Sequence, residues 1–100
     1  MTDQDHLNDL RAELDLLDER LLDTLRRRIE CGVRIAEYKA RHDLPMMQPG
    51  RVRLVKERAA QYAAANGLDA DFLVNLYDAI IGEMCRVEDV VMSRAASDRR

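Results

Sequence analysis

The chain has 100 residues, 47% of them hydrophobic and 35% charged, with a formal net charge of -3. That is room for one small domain, too apolar for a disordered chain and too charged for a membrane-spanning one. No aromatic-interleaved basic patch is present, which argues against nucleic acid as the main ligand. No apolar run approaches the length of a spanning helix, and Met1-Thr2-Asp3-Gln4-Asp5 is not a signal peptide, so a cytoplasmic location is expected. Cys31 and Cys85 lie far apart with no metal-type or redox-type spacing, and read as reduced, partly buried thiols. His6 and His42 form no ligand cluster and read as surface residues. No metal or cofactor is expected.

The first element organises the rest. From about Asp5 to His42 there is no proline, and Leu7, Leu10, Leu14, Leu17, Leu21, Leu25, Ile29 and Val33 recur in steps of three and four. That spacing lines one face of an α-helix. Thr2 with Asp5 has the form of a capping box, and the acids near the start suit the helix dipole. Such a helix is roughly 55 Å long, whereas a compact 100-residue domain has a radius of gyration of about 13 Å. Its apolar stripe therefore needs a partner, and an obligate dimer is expected.

The helix should stop before Pro45. The following loop, Pro45-Met46-Met47-Gln48-Pro49-Gly50, carries two methionines that either plug the end of a helix pair or line a pocket. A second helix is expected over about 51–65, with Val52, Val55, Ala59 and Tyr62 facing inward and Asn66-Gly67 as a left-handed stop. A third is expected over about 69–93, with Asp69 as N-cap and Leu68 and Leu73 at hydrophobic-staple spacing. Its inner stripe reads Leu73, Leu76, Tyr77, Ile80, Ile81, Met84, Cys85, Val87 and Val91. The polar segment from Ser93 to Arg100 is expected to fray. No β-branched run suggests a strand; the fold class is all-α, one domain over 1–100.

Charged residues interrupt the stripes at Arg28, Lys39 and Glu88. Arg28 and Lys39 are eleven residues apart, about 20° of helical rotation and ~16 Å of rise, so both look inward along one side. Charges placed there cost several kcal/mol unless matched. They form either a structural ion cluster or a pocket for an anionic ligand. Arg11 lies roughly 26 Å before Arg28 on the same helix. An antiparallel partner would carry Arg11 of one chain toward the Arg28 and Lys39 end of the other, giving two shared sites. Arg51, at the start of the second helix, adds a cation near free backbone N–H groups.

Those residues carry a resemblance. In order, Leu10-Arg11, Leu17-Asp18-Glu19-Arg20-Leu21-Leu22, Arg28, Ile35-Ala36-Glu37-Tyr38-Lys39, Arg51, Gly67-Leu68-Asp69, Ile80-Ile81 and Glu88 resemble the all-helical AroQ class of chorismate mutases from about Leu7 to Met92. The resemblance implies an intertwined homodimer of three-helix chains whose two sites draw on both protomers. It implies an intramolecular [3,3] rearrangement that moves an enolpyruvyl group from ring oxygen to ring carbon, with no cofactor. In these terms Arg28 and the other chain's Arg11 clamp two carboxylates, and Lys39 hydrogen-bonds the ether oxygen. Glu88 approaches that oxygen as a neutral acid that donates a hydrogen bond. Ile35, Ile81, Met84 and Cys85 complete the substrate-binding set with Gln48, Arg51 and Val52.

The usual pattern of the class has acids at the places of Gln48 and Val52, addressing the ring hydroxyl on C4. The Val33-Arg34-Ile35-Ala36, Pro45-Met46-Met47-Gln48-Pro49-Gly50-Arg51-Val52 and Met84-Cys85-Arg86-Val87-Glu88-Asp89 segments resemble instead the branch acting on 4-amino-4-deoxychorismate. That branch feeds 4-aminophenylalanine and antibiotics made from it. A C4 amine fits if it is bound neutral, or if the Gln48 carbonyl accepts from it while Val52 excludes water. The competing readings are an ordinary chorismate mutase, an isochorismate pyruvate lyase, and a non-enzymatic helical dimerisation module. An activating partner enzyme is a further possibility, because the incomplete C4 contact set leaves room for completion from outside.

Overall fold

The structure is a computed structural model and describes residues 2–98. It consists of three α-helices: α1, Asp3–Arg41; α2, Pro49–Asn66; and α3, Ala70–Asp98. The all-α expectation holds. The chain divides into two units between Cys31 and Gly32, and each is described separately.

The first unit holds the N-terminal part of α1. Its start is a reciprocal capping box: the Asp5 N–H donates to the Thr2 hydroxyl at 3.1 Å, and the Thr2 N–H donates to the Asp5 carboxylate at 3.2 Å. Two orphan donors are satisfied together, so helix begins at Asp3, within the expected Thr2 to Leu7 window. Arg26 then ties two turns by donating to Asp23 and to Glu30, each at 2.8 Å. The leucine stripe is bare in this chain: Leu7, Leu10, Leu14, Leu17 and Leu21 are 39–56% exposed.

The second unit contains the end of α1, the loop, α2 and α3. Asp43 closes α1 in the left-handed conformation, φ 54°. The Leu44 N–H then returns to the Lys39 carbonyl at 2.9 Å, the backbone pattern of a Schellman stop with aspartate where glycine is usual. Helix α2 begins earlier than expected. Pro49 already has the fixed φ a first helical residue needs, and its missing N–H would have had no partner there. At its other end Gly67 is left-handed, φ 69°, and the Gly67 and Leu68 N–H groups converge on the Ala63 carbonyl. Asp69 caps α3 as expected, accepting from the Asp71 N–H at 2.9 Å and the Phe72 N–H at 3.3 Å.

Helices α2 and α3 pack on each other, and a Lys56–Asp78 ion pair at 2.8 Å bridges them. Ala59 and Ala63 are the buried residues of α2, Met84 that of α3, and Ala36 that of α1. Small side chains at Ala59 and Ala63, one turn apart, allow close helix approach. Leu76, expected in the inner stripe, is 41% exposed, and Cys31, expected partly buried, is exposed. Two further expectations change. Tyr62 points outward, 60% exposed, and Ala63 takes the inner position, because the contact favours the Ala59–Ala63 row. Helix α3 also continues to Asp98 where fraying was expected, since Ala95 and Ala96 are strong helix formers. Arg99 and Arg100, also in that segment, lie outside the described residues.

Candidate active site

The end of α1, the loop and the first turn of α2 set most of the candidate residues in the second unit. Lys39 is half-buried, and its ammonium donates to the Met46 carbonyl at 3.0 Å. The acceptor is a neutral backbone oxygen, so the lysine is oriented without its charge being cancelled. Gln48 is the N-cap of α2, but its side chain makes no capping bond. Its backbone carbonyl accepts from the Arg51 N–H at 2.9 Å and the Val52 N–H at 3.3 Å. Arg51 is exposed in the first turn, where no acid competes for its charge.

Val52 and Ile81 come together in an open groove of about 520 Å³, with Met47, Pro49, Arg53, Lys56, Glu57 and Ala60 completing its walls. Met47 lines this groove while 56% exposed. Lys39, Arg51 and Glu88 are not among the residues lining this groove. A second groove, of about 560 Å³, runs along one face of α3 past Arg86, Asp89, Ser93 and Arg94, and contains none of the expected residues.

On α3, Glu88 and Cys85 are half-buried. Met84 is 8% exposed, with its terminal methyl against Gly32 of α1, so in this chain it fills the core. Ile35 is 49% exposed. In the first unit Arg11 is exposed and Arg28 half-buried. Among the described residues no group of three or more His, Cys, Asp or Glu side chains is placed to hold a metal ion, and no helix is long and apolar enough to cross a membrane.

Perturbed acids lie beside surface arginines. The hydrogen bond from Arg26, then its charge, holds the Asp23 carboxyl below its ordinary value. The hydrogen bond from Arg86 does the same for Glu83.

Two contacts escaped sequence reasoning: that of the Met46 carbonyl with Lys39, and the place of Lys56 in the groove wall. A backbone acceptor has no side-chain signature. Lys56 had one available, since it follows Val52 by four residues and so shares its face of α2.

Residues 10–89 match the profile of the family described as chorismate mutase type II. The chain belongs to the chorismate mutase type II family. Within the relatives of this family, it is 71% identical over 103 residues to a Streptomyces venezuelae protein named 4-amino-4-deoxychorismate mutase, covering the whole of both chains. It is 53% identical to a Streptomyces pristinaespiralis protein of the same name, over 85% of this chain and 66% of the relative. Against the bifunctional chorismate mutase/prephenate dehydratase of Escherichia coli K12 it is 32% identical, over 96% of this chain and 23% of that protein. The AroQ resemblance read from Arg11, Arg28, Lys39 and their neighbours is therefore correct at the level of family, and the aminated branch at the level of relatives.

Proposed function

We propose that the chain is a 4-amino-4-deoxychorismate mutase, an isomerase converting 4-amino-4-deoxychorismate to 4-amino-4-deoxyprephenate by [3,3] rearrangement. One observation carries this reading: identity of 71% over the full length to a protein of that name. The likeness to the chorismate mutase/prephenate dehydratase is 32%. The first turn of α2 carries no acid, so Gln48 and Val52 stand where a hydroxyl-addressing pair of carboxylates would be expected.

The residues proposed to do the work are Arg11, Arg28, Lys39 and Glu88, with Gln48, Arg51, Val52, Ile35, Ile81, Met84 and Cys85 around the substrate. The rearrangement is intramolecular: the C–O ether bond breaks as the new C–C bond forms, and no group leaves. Negative charge grows on the ether oxygen. Lys39 and a protonated Glu88 donate to it, and fixed donors aimed at developing charge lower the barrier without reorganising. Arg28 and Arg11 clamp the two carboxylates so that the flexible enolpyruvyl arm stays folded over the ring. Each tenfold in rate requires about 1.4 kcal/mol of preferential transition-state binding.

The active form is a homodimer, with Arg11 supplied by a second copy. The exposed Leu7, Leu10, Leu14, Leu17 and Leu21 stripe supports this, because contiguous apolar surface of that kind marks an interface.

Initial rates with 4-amino-4-deoxychorismate, chorismate and isochorismate test the reading. The aminated substrate should have the highest kcat/KM. Preference for chorismate would return the chain to ordinary chorismate mutases, and pyruvate release from isochorismate would make it a lyase.

A further inference from the structure

Lys39 is tied to the loop twice. Its backbone carbonyl accepts the Leu44 N–H at 2.9 Å and the His42 N–H at 3.3 Å. Its ammonium donates to the Met46 carbonyl at 3.0 Å. The left-handed turn at Asp43 brings the chain back for both. Two residues beyond Met46, the Gln48 carbonyl starts α2.

We propose that the Met46 carbonyl is a positioning group for Lys39. It takes one of the three ammonium protons and directs the other two, so that the conformation of the 42–48 loop sets the aim of the lysine. The inference rests on the mutase reading, in which Lys39 donates to the ether oxygen. A lysine side chain is a mobile point charge on a four-carbon stem. Catalysis by a donor requires that it be fixed before charge develops. An aspartate or glutamate would fix it by neutralising it, weakening its pull on a dianion. A peptide carbonyl orients the ammonium and leaves the full positive charge for the substrate. Lys39 is half-buried, so water competes less for that proton than at an exposed site. The loop that carries Gln48 toward C4 is thereby coupled to the lysine proposed to act at the ether oxygen.

Replacing Met47 by its α-hydroxy acid converts the Met46–Met47 amide to an ester. That makes the Met46 carbonyl a poorer acceptor and leaves every side chain intact. Cys31 and Cys85 allow assembly of the full chain by ligation. The control carries the ester in the other interhelical loop, between Leu68 and Asp69, away from every residue proposed to touch substrate. The ester at Met46–Met47 should lower kcat on 4-amino-4-deoxychorismate roughly 3- to 30-fold with a smaller change in KM, and should speed proton exchange of the Lys39 ammonium in NMR. The control should stay within about twofold of the all-amide protein. A lower melting temperature with unchanged kcat would show the bond to be a tether only, and would overturn the proposal. So would equal losses from both esters. An all-amide protein inactive on all three substrates would overturn the mutase reading itself, which is a distinguishable failure.

Discussion

Gly32 on α1 and Met84 on α3 meet so closely that a Cβ at position 32 would fall on the Met84 terminal methyl. The obstructing atom ends a flexible side chain, and Met84 is otherwise buried. Gly32→Ala gains about 0.8–1.0 kcal/mol of helix propensity and forces Met84 to swing aside. Net stability should change by no more than about 1 kcal/mol in either direction. Gly32→Leu, which a methionine swing cannot accommodate, should cost about 1–3 kcal/mol. Urea denaturation measures both. A loss above about 3 kcal/mol for the alanine variant would mean that Met84 is locked in place.

Glu88 is half-buried on the same helix, one turn beyond Met84. A carboxyl donates a hydrogen bond only while protonated, whereas an amide donates at every pH. If Glu88 donates to the ether oxygen, Glu88→Gln should retain kcat within about tenfold while Glu88→Ala loses far more. Equal losses of kcat in the two variants would remove Glu88 from the role.

Two exposed ion pairs contribute to the acid limb of stability. Asp23 and Glu83 are held below their ordinary values chiefly by hydrogen bonds from Arg26 and Arg86. A carboxyl depressed in the folded state contributes stability above its unfolded value, near pH 4. The contribution is lost as pH falls through the folded value. The melting temperature of Asp23→Asn/Glu83→Gln should therefore fall less than that of the parent between pH 5 and pH 3. Because both pairs are exposed, added salt should shrink the difference. Equal falls in low salt would show that neither pair contributes.

The bare stripe of α1 gives the test of assembly. Leu14 and Leu17 are 55% and 51% exposed in the single chain, and burial of each on dimerisation should contribute about 1.5–3 kcal/mol. Leu14→Lys/Leu17→Lys should shift the sedimentation equilibrium from dimer to monomer and abolish turnover, since Arg11 then no longer reaches the other copy's site. A variant that is monomeric and fully active would rule out a shared site.

A surface pair reports on the α2–α3 packing. The Lys56–Asp78 bridge is 2.8 Å long, with side chains 36% and 50% exposed, so it should contribute only about 0–1 kcal/mol. Lys56→Met keeps an apolar stem in the groove and should cost no more than this in a denaturant titration. A larger loss would mean that the pair organises the groove.

The sequence by itself determined the caps, because caps are local chemistry, although α2 starts earlier and α3 runs further than the pattern suggested. Thr2 and Asp5 close a box within four residues. Asp69 accepts from the next turn, and Gly67 takes a conformation other residues avoid. It also determined the family, through the order and spacing of Arg11, Arg28, Lys39 and Arg51. Tertiary structure decided matters that depend on what lies opposite. Ala63 is inside and Tyr62 outside because α3 packs on that row of α2. Met84 is sunk in the core because Gly32 leaves it space. Lys39 points at Met46 because the Asp43 turn brings a carbonyl back over it. A periodic pattern gives the direction of a side chain around its helix axis, but the neighbour that meets it is set only when the chain folds back on itself.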